Sequence, residues 1–323
     1  MKFTSIPKAY SSYFEPLIYE FDTQEAKADV EARIINSATG EVIGRKMLYG
    51  VSVGQIDIAP YLRRAAKVGL PERIEYSQIV DTGAQIKVKV EVAGVSSSSR
   101  NFIAAKVPPS TYFTLLTDQI SRRTMARDEF DIVGFYSSPD SVVEVLVEAT
   151  GKSYGFLTLE QATGGQTAIA VTALDFDDGP EELKLSIKVD GQVMAQIEYE
   201  LKANLRGARR LAWLNGSHSP ELYTFPMRKS ILIKAARRRI EQLWGREAAE
   251  VEHEGELKLL SAYEPQMQLK AIAEILKSER VWLVEGNKTR RVELKAERVM
   301  TLPCDELGLV EVDICAAEEG VKL

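Results

Sequence analysis

The sequence predicts a mainly β protein: two tandem immunoglobulin-like antiparallel β-sandwich domains (residues 1–112 and 113–208), then a β-rich α+β C-terminal domain (209–323). Three observations carry this. First, one gapless offset of 111 positions lays Ala38-Thr39-Gly40 on Ala149-Thr150-Gly151, Gly44 on Gly155, Leu48 on Leu159 and Gly54-Gln55 on Gly165-Gln166. It also lays Ile58-Ala59 on Ile169-Ala170 and Ala84-Gln85-Ile86 on Ala195-Gln196-Ile197, the mark of a diverged duplication. Second, the offset keeps strand parity. Ile86, Val88, Val90 and Val92 alternate with polar residues, as do Ile197, Tyr199 and Leu201, and a slip of one residue would turn every side chain to the other face. Third, short apolar segments and turn residues alternate at the spacing of a sandwich.

The elements follow in order. Asn36 to Gly40 separates Val30–Ile35 from Val42–Leu48, and Ala149-Thr150-Gly151 separates Val142–Val147 from Tyr154–Leu159, so both read as hairpins. A short helix is expected from Ile58 to Val68, after Asp57. Asp81-Thr82-Gly83 and Asp190-Gly191 place a glycine before each alternating strand, where a positive φ is tolerated. Ser96 to Ser99 reads as a flexible loop tip before a strand Phe102–Val107. Asp175, Asp177, Asp178 and Gly179 invite a calcium reading, but the spacing lacks the distant bidentate glutamate, so a solvated turn is expected.

The third segment switches charge. Lys202 to Arg246 is strongly basic, and Glu247, Glu250, Glu252, Glu254 and Glu256 follow at once. Leu232, Ala235, Ala236, Ile240 and Leu243 have helical spacing, and propensity favours a helix there. The alternating glutamates ask instead for a partner strand bearing Arg237 and Arg239, in a hairpin turning near Trp244-Gly245-Arg246. We take the hairpin. Met267, Leu269, Ile272, Ala273, Ile275 and Leu276 form the apolar stripe of a helix, packed on strands Val281–Val284, Arg291–Val299 and Leu309–Ile314.

Composition narrows the function classes. Forty-one basic and forty-seven acidic residues give a net charge of −6, with no whole-chain attraction to nucleic acid or anionic lipid. Met1 to Pro7 carries no apolar signal-peptide run and no transmembrane-length apolar stretch occurs, so a soluble chain made in the cytoplasm, without membrane contact, is expected. Cys304 and Cys315 read as small buried residues. His218 and His253 are the only histidines, and no nucleophile, zinc or phosphate-loop motif is present. No enzyme, cofactor or metal site is therefore expected.

Arg210-Leu211-Ala212-Trp213-Leu214-Asn215-Gly216, with Tyr223-Thr224-Phe225 after a short loop, resembles a signature of β-rich prophage proteins, virion or tail-associated structural proteins that are largely uncharacterised. The likeness covers about the last third of the chain. It extends to the basic and acidic strands, the helix through Glu274-Ile275-Leu276 and Val281-Trp282-Leu283-Val284. In the first units it is weaker, resting on Pro16 to Phe21 and the Ala38-Thr39-Gly40 hairpin. Ser217-His218-Ser219-Pro220 departs from it, standing where a compact glycine pair is expected.

The resemblance implies a non-enzymatic assembly protein that contacts other virion proteins or itself, located in the virion if phage-derived. It also favours the hairpin over the helix. Trp213, Asn215, Tyr223, Phe225, Arg237 and Arg239 are the candidate partner-contact or domain-seam residues, with Asn215 capping its turn. A carbohydrate- or host-surface-binding module is the alternative, and nucleic-acid binding through the basic segment ranks last.

Overall fold

The computed structural model describes the backbone of residues 1–25, 27–108, 110–150, 155–161, 164–176, 179–203, 207–242, 245–295 and 307–316. Side chains are described over the same ranges except 155–157, 159–161, 229–255 and 316. The chain is mainly β, and among the described residues its ladders are antiparallel save one parallel strand pair and one isolated parallel bridge.

The first unit runs β1 (Lys2–Ser5), β2 (Ile18–Asp22), β3 (Ala28–Asn36), β4 (Val42–Val51), β5 (Val53–Asp57), α1 (Ala59–Ala65), β6 (Gln78–Val80), β7 (Gln85–Val92), β8 (Val95–Ser96) and β9 (Arg100–Ile103). One sheet has the order β1-β2-β5; the other has β4-β3-β7, with β8 and β9 both paired to β7. Alternation sets the faces: Val30, Ala32 and Ile34 of β3 and Val88, Val90 and Val92 of β7 are buried. Asp57 Oδ1 accepts from the Ala59 and Leu17 amides, tying the start of α1 to β2.

The second unit runs β10 (Phe113–Leu115), β11 (Arg122–Ala126), β12 (Phe130–Ser137), β13 (Val143–Thr150), β14 (Gly155–Gln161), β15 (Gly165–Thr172), a 3-10 turn (Ala173–Asp175), β16 (Glu182–Val189) and β17 (Gln192–Lys202). Its sheets have the orders β10-β12-β15 and β14-β13-β16-β17-β11. The strand orders of the two units therefore correspond: β1-β2-β5 to β10-β12-β15, and β4-β3-β7-β9 to β14-β13-β16-β17. Even the parallel edge repeats, as the isolated bridge Ser12↔Ile103 in one unit and the ladder Arg122↔Glu198 to Ala126↔Lys202 in the other.

Register refines the duplication. Ala32↔Val92 has its counterpart in Val143↔Val189, and Gln85↔Ile103 in Glu182↔Glu200. The next turns match too: Ala93-Gly94 has φ 47° and 78°, Asp190-Gly191 48° and 81°, the positive values a tight hairpin requires. The counterpart of β7 is thus β16, displaced by 97 positions, and the expected match of Ala84-Gln85-Ile86 to Ala195-Gln196-Ile197 joins strands that are not equivalent. The physical reason is an excursion, residues 66–84, that only the first unit has. Both β7 and β17 alternate, so parity alone did not distinguish them.

That excursion is a clasp. Its β6 adds to the edge of β15, with Ile79 opposite Ile169. Ser77 N donates to Asp175 Oδ2, and Ser77 Oγ accepts from Thr172 N. Thr289 donates to Glu72 O and Ile74 to Asn287 O in the third unit. Residue 112 is therefore crossed by a continuous sheet. Elsewhere Ser97 is buried, its Oγ accepting from Val90 N, while Ser96, Ser98 and Ser99 are exposed, so the expected loop tip is anchored at one serine.

The third unit runs β18 (Arg209–Leu214), β19 (Pro220–Phe225), β20 (Met227–Gln242), β21 (Gly245–Leu260), β22 (Glu264–Pro265), α2 (Gln266–Ala273), β23 (Val281–Glu285), β24 (Lys288–Leu294), β25 (Leu307–Gly308) and β26 (Glu311–Ala316). Seven strands form one sheet, β19-β18-β23-β24-β26-β21-β20. Leu211, Trp213, Phe225, Leu257 and Leu259 meet Leu269, Ile272 and Ile275 of the helical segment in its core. Ile231 to Gln242 is strand and not helix. A second core joins all three units: Tyr19, Phe21 and Ile34 pack in one cluster with Phe130, Ile132, Ala170, Ala212, Leu222 and Trp282.

Candidate functional site: a buried polar junction and a charged ribbon

Two features stand apart from ordinary sandwich packing. The first is a polar network where β11 and β12 of the second unit meet β18 and β19 of the third. Asp131, fully buried, accepts from Arg123 Nη1 at 2.7 Å and from Arg210 Nη2 at 2.8 Å. Arg123 also donates to Ile120 O and Thr117 Oγ1, and Arg210 to Phe130 O and Thr224 Oγ1. Glu129 Oε2 lies 3.6 Å from Arg210 and accepts from Thr224 Oγ1 and Ala126 N. Two arginines and two carboxylates balance, which is what lets such charges stay inside.

Thr117 links this group to a second. Its hydroxyl donates to Glu221, which also accepts from Asp118 N, Gln119 Nε2 and Asn215 Nδ2. Burial pushes the Glu221 carboxyl up to about 6, against the Arg123 guanidinium and the Asp118 N, Thr117 and Asn215 donors. Gln268 of α2 closes the network, accepting from Ile120 N and donating to Gln119 Oε1. Beside it lies a cavity of about 240 Å³ lined among others by Arg122, Met125, Lys202, Tyr223 and Glu264. Tyr223 donates to Glu264, whose carboxyl burial raises.

Asn215 sits on the seam. Its Oδ1 accepts from Ser217 N and Ser219 N, holding the turn, and its Nδ2 donates to Leu116 O of the second unit. In the same turn the His218 ring stacks on Phe14 at 3.9 Å and Ser217 O accepts from Gln166, so one loop touches all three units. Trp213 and Phe225, candidates for a partner contact or a domain seam, have no exposed surface and pack in the third unit's own core. Tyr223 is half-buried and stacks edge-on to Phe225.

The second feature is the β20–β21 hairpin. Its register sets Arg238 opposite Glu250, Ala236 opposite Glu252 and Lys234 opposite Glu254. Arg237 faces Val251 and Arg239 faces Ala248, so the glutamate partners expected for these two arginines are not theirs; an irregularity between Arg238 and Arg239 resets the ladder. The expected turn at Trp244 lies in part outside the described residues, and Gln242↔Gly245 is the last rung.

The network joining the units gave one sequence signal that went unread: Asp131 is a lone carboxylate in the apolar run Phe130 to Tyr136. Arg123, Glu221 and Gln119 are scattered in sequence and gave none. Among the described residues no group of three His, Cys, Asp or Glu is placed to hold a metal, and no helix is long and apolar enough to cross a membrane. Asp177, Asp178 and Cys304 lie outside the described residues; Cys315 is a buried thiol. No protein-family model matches the chain, and no curated protein matches it.

Proposed function

We propose that the protein is a non-enzymatic structural or assembly component, in which a body of three interlocked β-rich units presents the β20–β21 hairpin to a protein partner. One observation carries the reading. Among the described residues β21 pairs with β26 over Glu256 to Leu260 alone, whereas the hairpin continues for ten further rungs, from Ile233↔Gly255 to Gln242↔Gly245. Among the described residues those rungs have no third strand. At about 3.3 Å per residue the ribbon reaches roughly 30 Å past the sheet. A two-stranded ribbon is marginal alone, and open strand edges are a hazard that proteins normally cover. A partner that covers the ribbon accounts for both its length and its retention.

The resemblance of the third unit to prophage structural proteins supports a virion or tail-associated setting. The immunoglobulin-like reading of the first two units draws support from their three-strand and four-strand sheets and the parallel edge strand. The reading is tested by placing a photo-cross-linking residue at Ala236 or Ala249 of the full chain in the cells that make it. Cross-links to protein from these positions, and none from exposed Tyr49 on β4, are expected. Absence of ribbon cross-links, or cross-links only to nucleic acid, would overturn it.

A further inference from the structure

The two strands of the ribbon differ in charge, and their free edges therefore differ too. Beyond the sheet β20 carries Lys234, Arg237, Arg238 and Arg239 against Glu241, while β21 carries Glu247, Glu250, Glu252 and Glu254 against Arg246. β20 is the last strand of its sheet, so one edge of the ribbon is a basic strand. The opposite edge, beyond Glu256, is an acidic strand with no described neighbour.

We infer that the ribbon pairs edge to edge with the ribbon of a second copy of this chain, the basic β20 of one against the acidic β21 of the next. The inference rests on the assembly reading above and names its partner. Joining β20 to β20, or β21 to β21, as a two-fold symmetric dimer would, sets like charges side by side along the whole contact. Joining β20 to β21 continues the alternation of basic and acidic strands that the hairpin already contains. With both hairpins pointing the same way, the new ladder is antiparallel, like the β20–β21 ladder itself. Such a contact uses two different edges, so the pair retains one free edge of each kind, the acidic β21 of one copy and the basic β20 of the other. It propagates into a ring or a filament and does not stop at a dimer.

Charge exchange tests this in the full chain. The variant K234E/R237E/R238E/R239E/E250R/E252R/E254R reverses both strands, so the rungs Lys234↔Glu254 and Arg238↔Glu250 keep opposite charges within each hairpin, and circular dichroism checks that it folds. Sedimentation and native mass spectrometry then read the assemblies. The wild type is expected to form oligomers larger than dimers that dissociate at high salt. The exchanged variant is expected to do the same alone, yet to sort away from the wild type in mixtures, because β20 of one then meets β21 of the other with like charge. R237E/R238E/R239E by itself should weaken association by about tenfold or more. Preferential co-assembly of exchanged and wild-type chains would show like-edge pairing and overturn the inference. A wild type monomeric at every concentration would also overturn it. In that case ribbon cross-links to a different protein would leave the assembly reading standing, and their absence would remove both.

Discussion

The polar junction and the ribbon are both rich in charge, and they handle it in opposite ways. At the junction Asp131 is enclosed with Arg123 and Arg210, and Glu221 receives four donors, so almost every polar atom has its partner within the chain. In the ribbon the charges are segregated by strand, and ten rungs stand without a third strand among the described residues. The contrast teaches where each feature's energy is satisfied: the junction is complete in one molecule, whereas the ribbon's ladder capacity is half unused. Substitutions should therefore act on folding in the first region and on association in the second.

The sharpest expected difference is at Asp131. Asp131→Ala leaves two buried arginines without their shared carboxylate and should lower unfolding free energy by about 3–5 kcal/mol, read from urea denaturation. A loss below about 1 kcal/mol would mean that water or rearrangement replaces the carboxylate and that the junction is not a lock.

Next is the pH response of Glu221. Its folded value of about 6 lies above the ordinary 4.5, so the folded protein holds the proton more tightly than the unfolded chain does. The stabilisation from this group is fully present below about pH 4.5 and is lost as pH rises through 6, by up to about 2 kcal/mol. Stability measured across that window should fall with rising pH more steeply in the wild type than in Glu221→Gln. Equal slopes would place the carboxyl's value near the unfolded one.

Smaller again is the clasp. Ser77→Ala removes the acceptor for Thr172 N and should cost about 1–2 kcal/mol by thermal or chemical denaturation. Least affected is the ribbon, where Arg238→Ala should change the stability of the dilute protein by no more than about 0.5 kcal/mol. A large loss there would show that the ribbon is integral to the body.

Much of this architecture was legible because alternation and turn chemistry are local. The Asn36–Gly40 hairpin, the helix after Asp57 and the Asp190-Gly191 turn each follow from a few neighbouring residues. The hairpin at β20–β21 was legible for a subtler reason: phased glutamates outweighed the helical propensity of Ala235 and Ala236. The largest failures were long-range. A constant offset hid the excursion at residues 66–84, because the alternating strands β7 and β17 look alike to any one-dimensional comparison. Trp213 and Phe225 were weighed as partner-contact or domain-seam residues because large aromatics serve cores and interfaces equally. The lock at Asp131 joins residues 79 positions apart through Arg210, and no spacing rule reaches that far.

Amide hydrogen exchange on the full chain, dilute and assembled, tests the central claim most directly. The account predicts that in the dilute protein the amides of residues 233–242 and 245–255 exchange orders of magnitude faster than those of β12 and β18 flanking the junction, and that assembly slows the ribbon alone. Ribbon amides already as protected as the junction in the dilute protein, or unchanged on assembly, would contradict it.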